Sequence, residues 1–181
     1  GGFEKGEVAS QTVCHALSRF VTMKTDPAVP FTDAMLSDAV TYAYTGLDAK
    51  MQTPGDAKMG TTLAMLYFHA GGVMAAHIGD SRYYHIRPNE HRVVYRSKDH
   101  SLVFTLFETG QITEEEMATH AKKNVILRAM MPGQDTPSMP DIVHIKDVRP
   151  GDWFLVMSDG MVETMTDNEI LKVLCNENMT D

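Results

Sequence analysis

Two apolar runs in this chain end on an aspartate. Leu155-Val156-Met157 leads into Ser158-Asp159-Gly160, and Ala75-Ala76-His77-Ile78 leads into Gly79-Asp80-Ser81. Leu155 and Val156 read as buried strand, and Gly160 reads as the residue whose backbone freedom ends the run. A carboxylate at the end of a buried strand is costly unless something pairs with it. Backbone N–H groups or a metal ion are the cheapest partners. Two strands that each deliver one carboxylate to a turn can hold a hard cation on a β scaffold. Taken singly, each segment reads better as an ordinary turn aspartate that caps nearby N–H groups.

Further short segments frame these two. Met59-Gly60-Thr61-Thr62-Leu63 precedes the first run, and Gly79-Asp80-Ser81-Arg82-Tyr83-Tyr84 closes it. Ser97-Lys98-Asp99-His100-Ser101-Leu102, Asn124-Val125-Ile126-Leu127-Arg128-Ala129 and Pro150-Gly151-Asp152 follow in that order. The ordered set resembles the metal-dependent protein phosphatases, the type 2C serine/threonine family. The opening Gly1-Gly2-Phe3-Glu4-Lys5-Gly6-Glu7-Val8-Ala9-Ser10 is similar to the end of that family's Asp-Gly-x-Gly-Gly motif and the helix after it. The resemblance extends over nearly the whole chain.

The resemblance implies an α+β fold of two stacked antiparallel sheets flanked by helices, incomplete at both ends. It implies a single domain over residues 1–181, with a flap-like insertion over about 103–127. The implied activity is hydrolysis of phosphoserine or phosphothreonine by water activated at Mn²⁺ or Mg²⁺, with two central ions and a third, outer one. Asp159 is implied as a ligand of the central ions, and Asp80 as its companion at the outer position. The remaining central ligands lie outside the chain, so residues 1–181 alone are expected to turn over little. No residue is assigned as catalytic acid, base or nucleophile. A phosphoprotein substrate and a cognate Ser/Thr kinase are the implied partners. The alternative is a phosphatase-like scaffold or regulatory domain without catalysis, and a third option is a pure metal-binding module. The presence of both Asp80 and Asp159 favours the enzyme.

Other reactive residues read more plainly. No Cys-x5-Arg loop surrounds Cys14 or Cys175, which argues against a cysteine-phosphatase route. Both cysteines fall in helical stretches and read as buried thiols of a reducing compartment. His69, His77 and His85 occupy strand positions without zinc spacing. Asp99-His100-Ser101 reads as a structural turn, Arg82 as the ion-pair partner of a nearby carboxylate, and Arg128 as a buttress. His120, beside Lys122 and Lys123, falls where the family carries its flap. It is the one candidate for substrate contact, against a solvated loop.

The elements that must position these groups are legible as patterns. Val13, Ala16, Leu17, Phe20 and Val21 share a face of a helix starting near Gly6, which Asp26-Pro27-Ala28-Val29-Pro30 breaks. Thr32 caps a second helix with a stripe of Leu36, Val40, Ala43 and Leu47. Thr53-Pro54-Gly55-Asp56 is a loop. A β region runs from about Thr61 to Arg96, turning at Gly71-Gly72 and Pro88-Asn89-Glu90. Val143 to Ile145 and Trp153 to Met157 are further strands. Capping boxes at Thr113 and Thr166 start two more helices, the second burying Ile170, Val173 and Leu174.

Composition sets outer limits. Apolar residues make up 43% and charged residues 22% of 181, the usage of an ordinary folded domain. A net charge of −8 lacks the basic footprint of a nucleic-acid surface. No signal peptide or membrane span is evident, and a cytoplasmic location is expected. The 14 methionines fall at predicted core positions.

Overall fold

Apolar residues at helical spacing build the first layer. The helix α1 spans Gly6–Lys24 and buries Ala9, Val13 and Leu17. The helix α2 spans Asp33–Asp48; Thr32 caps it by accepting from the Met35 N–H, and Leu36, Val40, Ala43 and Leu47 are buried. The computed structural model describes residues 4–53, 56, 58–162 and 164–175. Gly1, Gly2 and Phe3 of the opening motif, Pro54 and Gly55 of the loop, and residues 176–181 lie outside the described residues.

Among the described residues, six strands form two antiparallel sheets. One sheet has the order β1 (Leu63–His69), β2 (Gly72–Ile78), β5 (Asp141–Ile145). The other has β4 (Arg92–Arg96), β3 (Arg82–Arg87), β6 (Trp153–Met157). Alternation along the central strands assigns the faces. Met74, Ala76 and Ile78 of β2 pack against α1 and α2. Val73 and Ala75 point the other way and meet Tyr83 of β3 and Phe154 of β6 between the sheets. Tyr84 and Ile86 of β3 face outward onto Ile170, Leu171 and Leu174 of α6 (Asp167–Leu174). The layers run helix, sheet, sheet, helix, as expected. Strands β2 and β3 are covered on both faces, so they show no polar alternation.

Several local expectations change. Val156 is exposed, because among the described residues β6 pairs only with β3. Cys14 is exposed on the outer face of α1 rather than buried. Val173 is exposed, and Leu171, two residues earlier, packs on the core instead. Of the methionines, Met59, Met74 and Met130 fill the core, whereas Met23, Met51, Met139 and Met161 are exposed. The helix α3 (Leu102–Glu108) forms at the start of the stretch read as a flap-like insertion, where no helix was expected. Ser101 caps it by accepting from the Phe104 N–H at 3.3 Å. The helix α4 (Glu114–Thr119) has the expected capping box at Thr113.

A buried ionic knot fastens β3 to the turn before β6. Asp152 accepts from Arg87 Nε at 2.8 Å and Nη2 at 2.9 Å, from His85 Nε2 at 2.7 Å, and from the Arg149 N–H at 2.9 Å. Because a carboxylate only accepts, Nε2 of His85 carries the proton. The His85 and Asp152 side chains are each 1% exposed, so removing one partner strands the others away from water. Arg87 first, and then His85, holds the Asp152 carboxyl well below the usual carboxylate range. Asp152→Ala should lower Tm by on the order of 10 °C at pH 7. A depressed folded pKa contributes stability above the unfolded value and loses it as pH falls. The gap between wild type and variant should therefore be full above about pH 4 and shrink below it. Melting curves at pH 7 and pH 3 check both points; a gap that widens in acid refutes the account.

Candidate metal centre

The two sequence-predicted aspartates are brought together by strand register. In the β3–β6 ladder Arg82 pairs with Met157, Tyr83 with Val156 and Tyr84 with Leu155. The ladder stops at the Arg82–Met157 pair, and Asp80 and Asp159 each lie two residues outside it, in the turn before β3 and just after β6. Asp80 reaches that point through Gly79, which leaves β2 at φ +101°. A Cβ at Gly79 would sit 2.4 Å from Thr62 Cγ2, so glycine is required there. Asp159 opens the one-turn helix α5 (Asp159–Val162), and its Oδ1 accepts from the Gly160 N–H at 2.9 Å. Gly160 has no left-handed backbone, contrary to expectation; the strand-ending glycine of that kind is Gly79.

Asp80, Asp159 and a third carboxylate, Asp99, line one cleft of about 730 Å³. Asp80 is half-buried and Asp159 exposed. Burial pushes the Asp80 carboxyl above its usual range, and the charges of Asp159 and Asp99 push it further in the same direction. Arg82 offsets this only in part, because its guanidinium is already committed. Its Nε donates to Asp99 Oδ1 at 2.6 Å and its Nη2 to Asp99 Oδ2 at 2.7 Å. The ion pair expected for Arg82 is therefore this bidentate fork. Asp99 itself was read only as a turn residue. Its signal was the nearby arginine, two residues after Asp80, which needs a planar acceptor. Further along the cleft, Asp167 accepts from Tyr84 Oη at 3.1 Å and from Arg96 Nη1 at 3.0 Å.

Oxygen donors that repel one another suit Mn²⁺ or Mg²⁺, which take carboxylates and keep several waters. Asp80, Asp99 and Asp159 supply donors of that type, with both oxygens of Asp99 already taken by Arg82. A tighter group among the described residues is His77, His100 and Asp141, with ligand atoms within 4.8 Å of one another. That group already holds a cation from the chain itself. Arg128 Nη1 donates to Asp141 Oδ1 at 2.7 Å and lies 3.0 Å from His100 Nε2. Burial holds His77 below its usual pKa, which keeps it neutral.

The segment expected as a flap holds α3 and α4. Phe104, Met117, Ala118 and Lys123 from it line the cleft. His120 does not; it ends α4, and its Nδ1 accepts from the Lys122 N–H at 3.1 Å.

A family model for protein phosphatase 2C matches residues 1–178. The chain belongs to that family. It is 34% identical over 177 residues to the serine/threonine protein phosphatase PstP of Mycobacterium tuberculosis, over 96% of this chain and 32% of PstP. The chain thus spans about a third of PstP's length. The crystal structure of Stp1 from Staphylococcus aureus superposes with a TM-score of 0.83 at 31% identity, over 99% of this chain and 69% of Stp1. The PstP catalytic domain, solved with two manganese ions, superposes at 0.73 with 33% identity, over 96% of this chain and 70% of that one. Two antiparallel sheets flanked by helices are thus the phosphatase 2C fold. Among the described residues, no helix is long and apolar enough to cross a membrane.

The crowding of carboxylates predicts opposite responses with and without metal. Asp80→Asn keeps shape but removes one negative charge. In EDTA it should raise Tm by a few degrees, and it should shrink the stabilisation that Mn²⁺ gives the wild type. Thermal melts across a Mn²⁺ series measure both. A variant less stable in EDTA, with an unchanged Mn²⁺ response, would mean that Asp80 only ties down its turn.

Proposed function

We propose that the chain is the catalytic domain, or the larger part of it, of a protein serine/threonine phosphatase dependent on Mn²⁺ or Mg²⁺. The observation that supports this most directly is the convergence of Asp80, in the turn into β3, and Asp159, just past β6, in a cleft that also holds Asp99. Their mutual repulsion is what a divalent ion would relieve. Two central ions and an outer one are part of the reading, with Asp159 at the central pair and Asp80 shared with it at the outer position. When bound, such ions supply a water of lowered pKa and neutralise charge on the phosphoryl oxygens. The chain's own part is to aim the carboxylates, to hold Asp99 still through Arg82, and to wall the cleft with α3 and α4. In this reading residues 103–127 are the flap over the substrate.

The substrate class is a phosphoserine or phosphothreonine protein, made by a partner Ser/Thr kinase. A cytoplasmic location belongs to the same proposal. It accords with Cys14, a free thiol on the surface, which persists where disulfides do not form.

The test uses the whole protein that carries this chain, a phosphothreonine peptide and Mn²⁺. Asp159→Asn should cut turnover by about 10²–10³-fold while the melting curve stays cooperative, since charge stabilisation is lost only in the transition state. Asp80→Ala should leave the tight Mn²⁺ phase in place, remove the weak phase and lower kcat more than it raises KM. Wild-type protein that binds Mn²⁺ but releases no phosphate would support the scaffold reading instead.

A further inference from the structure

We propose that His100 is a positioning residue that rivets together the two carboxylate-bearing turns of the cleft. The proposal rests on the phosphatase reading above and adds a residue to it. His100 follows Asp99 directly and grips Gly79, the residue before Asp80, by two reciprocal hydrogen bonds. Its backbone N–H donates to the Gly79 carbonyl at 2.9 Å. The Gly79 N–H in turn donates to His100 Nδ1 at 3.1 Å. An amide N–H only donates, so Nδ1 is the bare nitrogen and the proton of the neutral ring sits on Nε2. Nε2 then donates to Asp141 Oδ2 at 3.1 Å.

The outer side of the ring is held from two directions. Asp141 pairs in register with His77 at the end of the β2–β5 ladder, and the His77 ring stacks on His100 at 4.4 Å between centroids. Arg128 fixes Asp141 and also donates to the Met139 carbonyl. The stretch that carries Arg128 is pinned to the same corner. The Leu127 N–H donates to the His100 carbonyl at 2.8 Å, and the Leu102 N–H to the Val125 carbonyl at 2.9 Å. A chain of contacts therefore runs from the end of the 103–127 segment through His100 to the backbone of Asp80 and Asp99. Neither turn can shift against the other without breaking one of the two Gly79 bonds. Gly79 itself has no side chain with which to hold its place.

Substitutions separate the two functions of the ring. In His100→Asn, the side-chain oxygen replaces Nδ1 and keeps an acceptor for the Gly79 N–H. In His100→Ala that acceptor is gone, while the backbone bond remains. In the whole protein, His100→Ala should weaken the low-affinity Mn²⁺ phase and lower kcat, each by about 10–100-fold, with KM changed less than threefold. His100→Asn should recover kcat to within about threefold of wild type. In metal-free protein, hydrogen exchange at the Gly79 amide should quicken about tenfold or more in the alanine variant and stay slow in the asparagine variant. A wild type without Mn²⁺-dependent turnover overturns the phosphatase reading and this proposal with it. If the wild type turns over, two results overturn this proposal alone. One is a His100→Ala protein with a lowered Tm but wild-type kcat and weak-phase affinity. The other is an asparagine variant as impaired as alanine.

Discussion

Like charges crowded at the meeting of two sheets are the constraint around which this fold is arranged. Two unit charges at 4 Å cost about 1 kcal/mol in bulk water and about 4 kcal/mol near a protein surface. One neutral hydrogen bond, such as the Gly160 N–H to Asp159, contributes about 0.5–1.5 kcal/mol. Capping alone therefore offsets little of the repulsion, and the guanidinium of Arg82 is spent on Asp99. The scaffold must hold these groups where they would not stay by themselves.

It does so with backbone rather than with flexible side chains. Asp80 and Asp159 flank the end of a ladder whose strands are locked by five registered pairs. The Asp152 knot then fixes the far end of the same two strands. The two-sided burial of β2 and β3 makes both sheets stiff where they approach the cleft. Rigidity is thus concentrated under the site, while the α3–α4 segment forms its outer wall.

The layers were readable because period and capping agree with the final structure. The stripes of α1 and α2 and the Thr113 and Thr166 boxes all lie where expected. So do the hairpin of β1 with β2 and the pairing of β3 with β4. What could not be read depends on contacts distant in sequence. Val156 is exposed, and nothing within Leu155-Val156-Met157 reveals that, among the described residues, β6 pairs only with β3. Gly160 and Gly79 look alike in their Gly–Asp pairs, yet only Gly79 is crowded by Thr62. The role of Asp99 depends on Arg82 folding back from β3, and the role of His100 on Asp141 arriving from β5. His120 illustrates the opposite limit: its position in the chain suggested the cleft, but its side chain is used by its own turn.

The Asp152 knot also bears on how the domain assembles. His85 and Asp152 are 67 residues apart, and Arg87 and Asp152 are 65 apart. The β3–β4 hairpin closes over a short turn and can form early, but β6 must search across a long loop before it docks. Until it does, His85 and Arg87 remain hydrated and the carboxylate cleft has only one wall. Completion of the cleft is thereby tied to the last long-range strand pairing, so a partly folded chain presents an unfinished site and an open β3 edge.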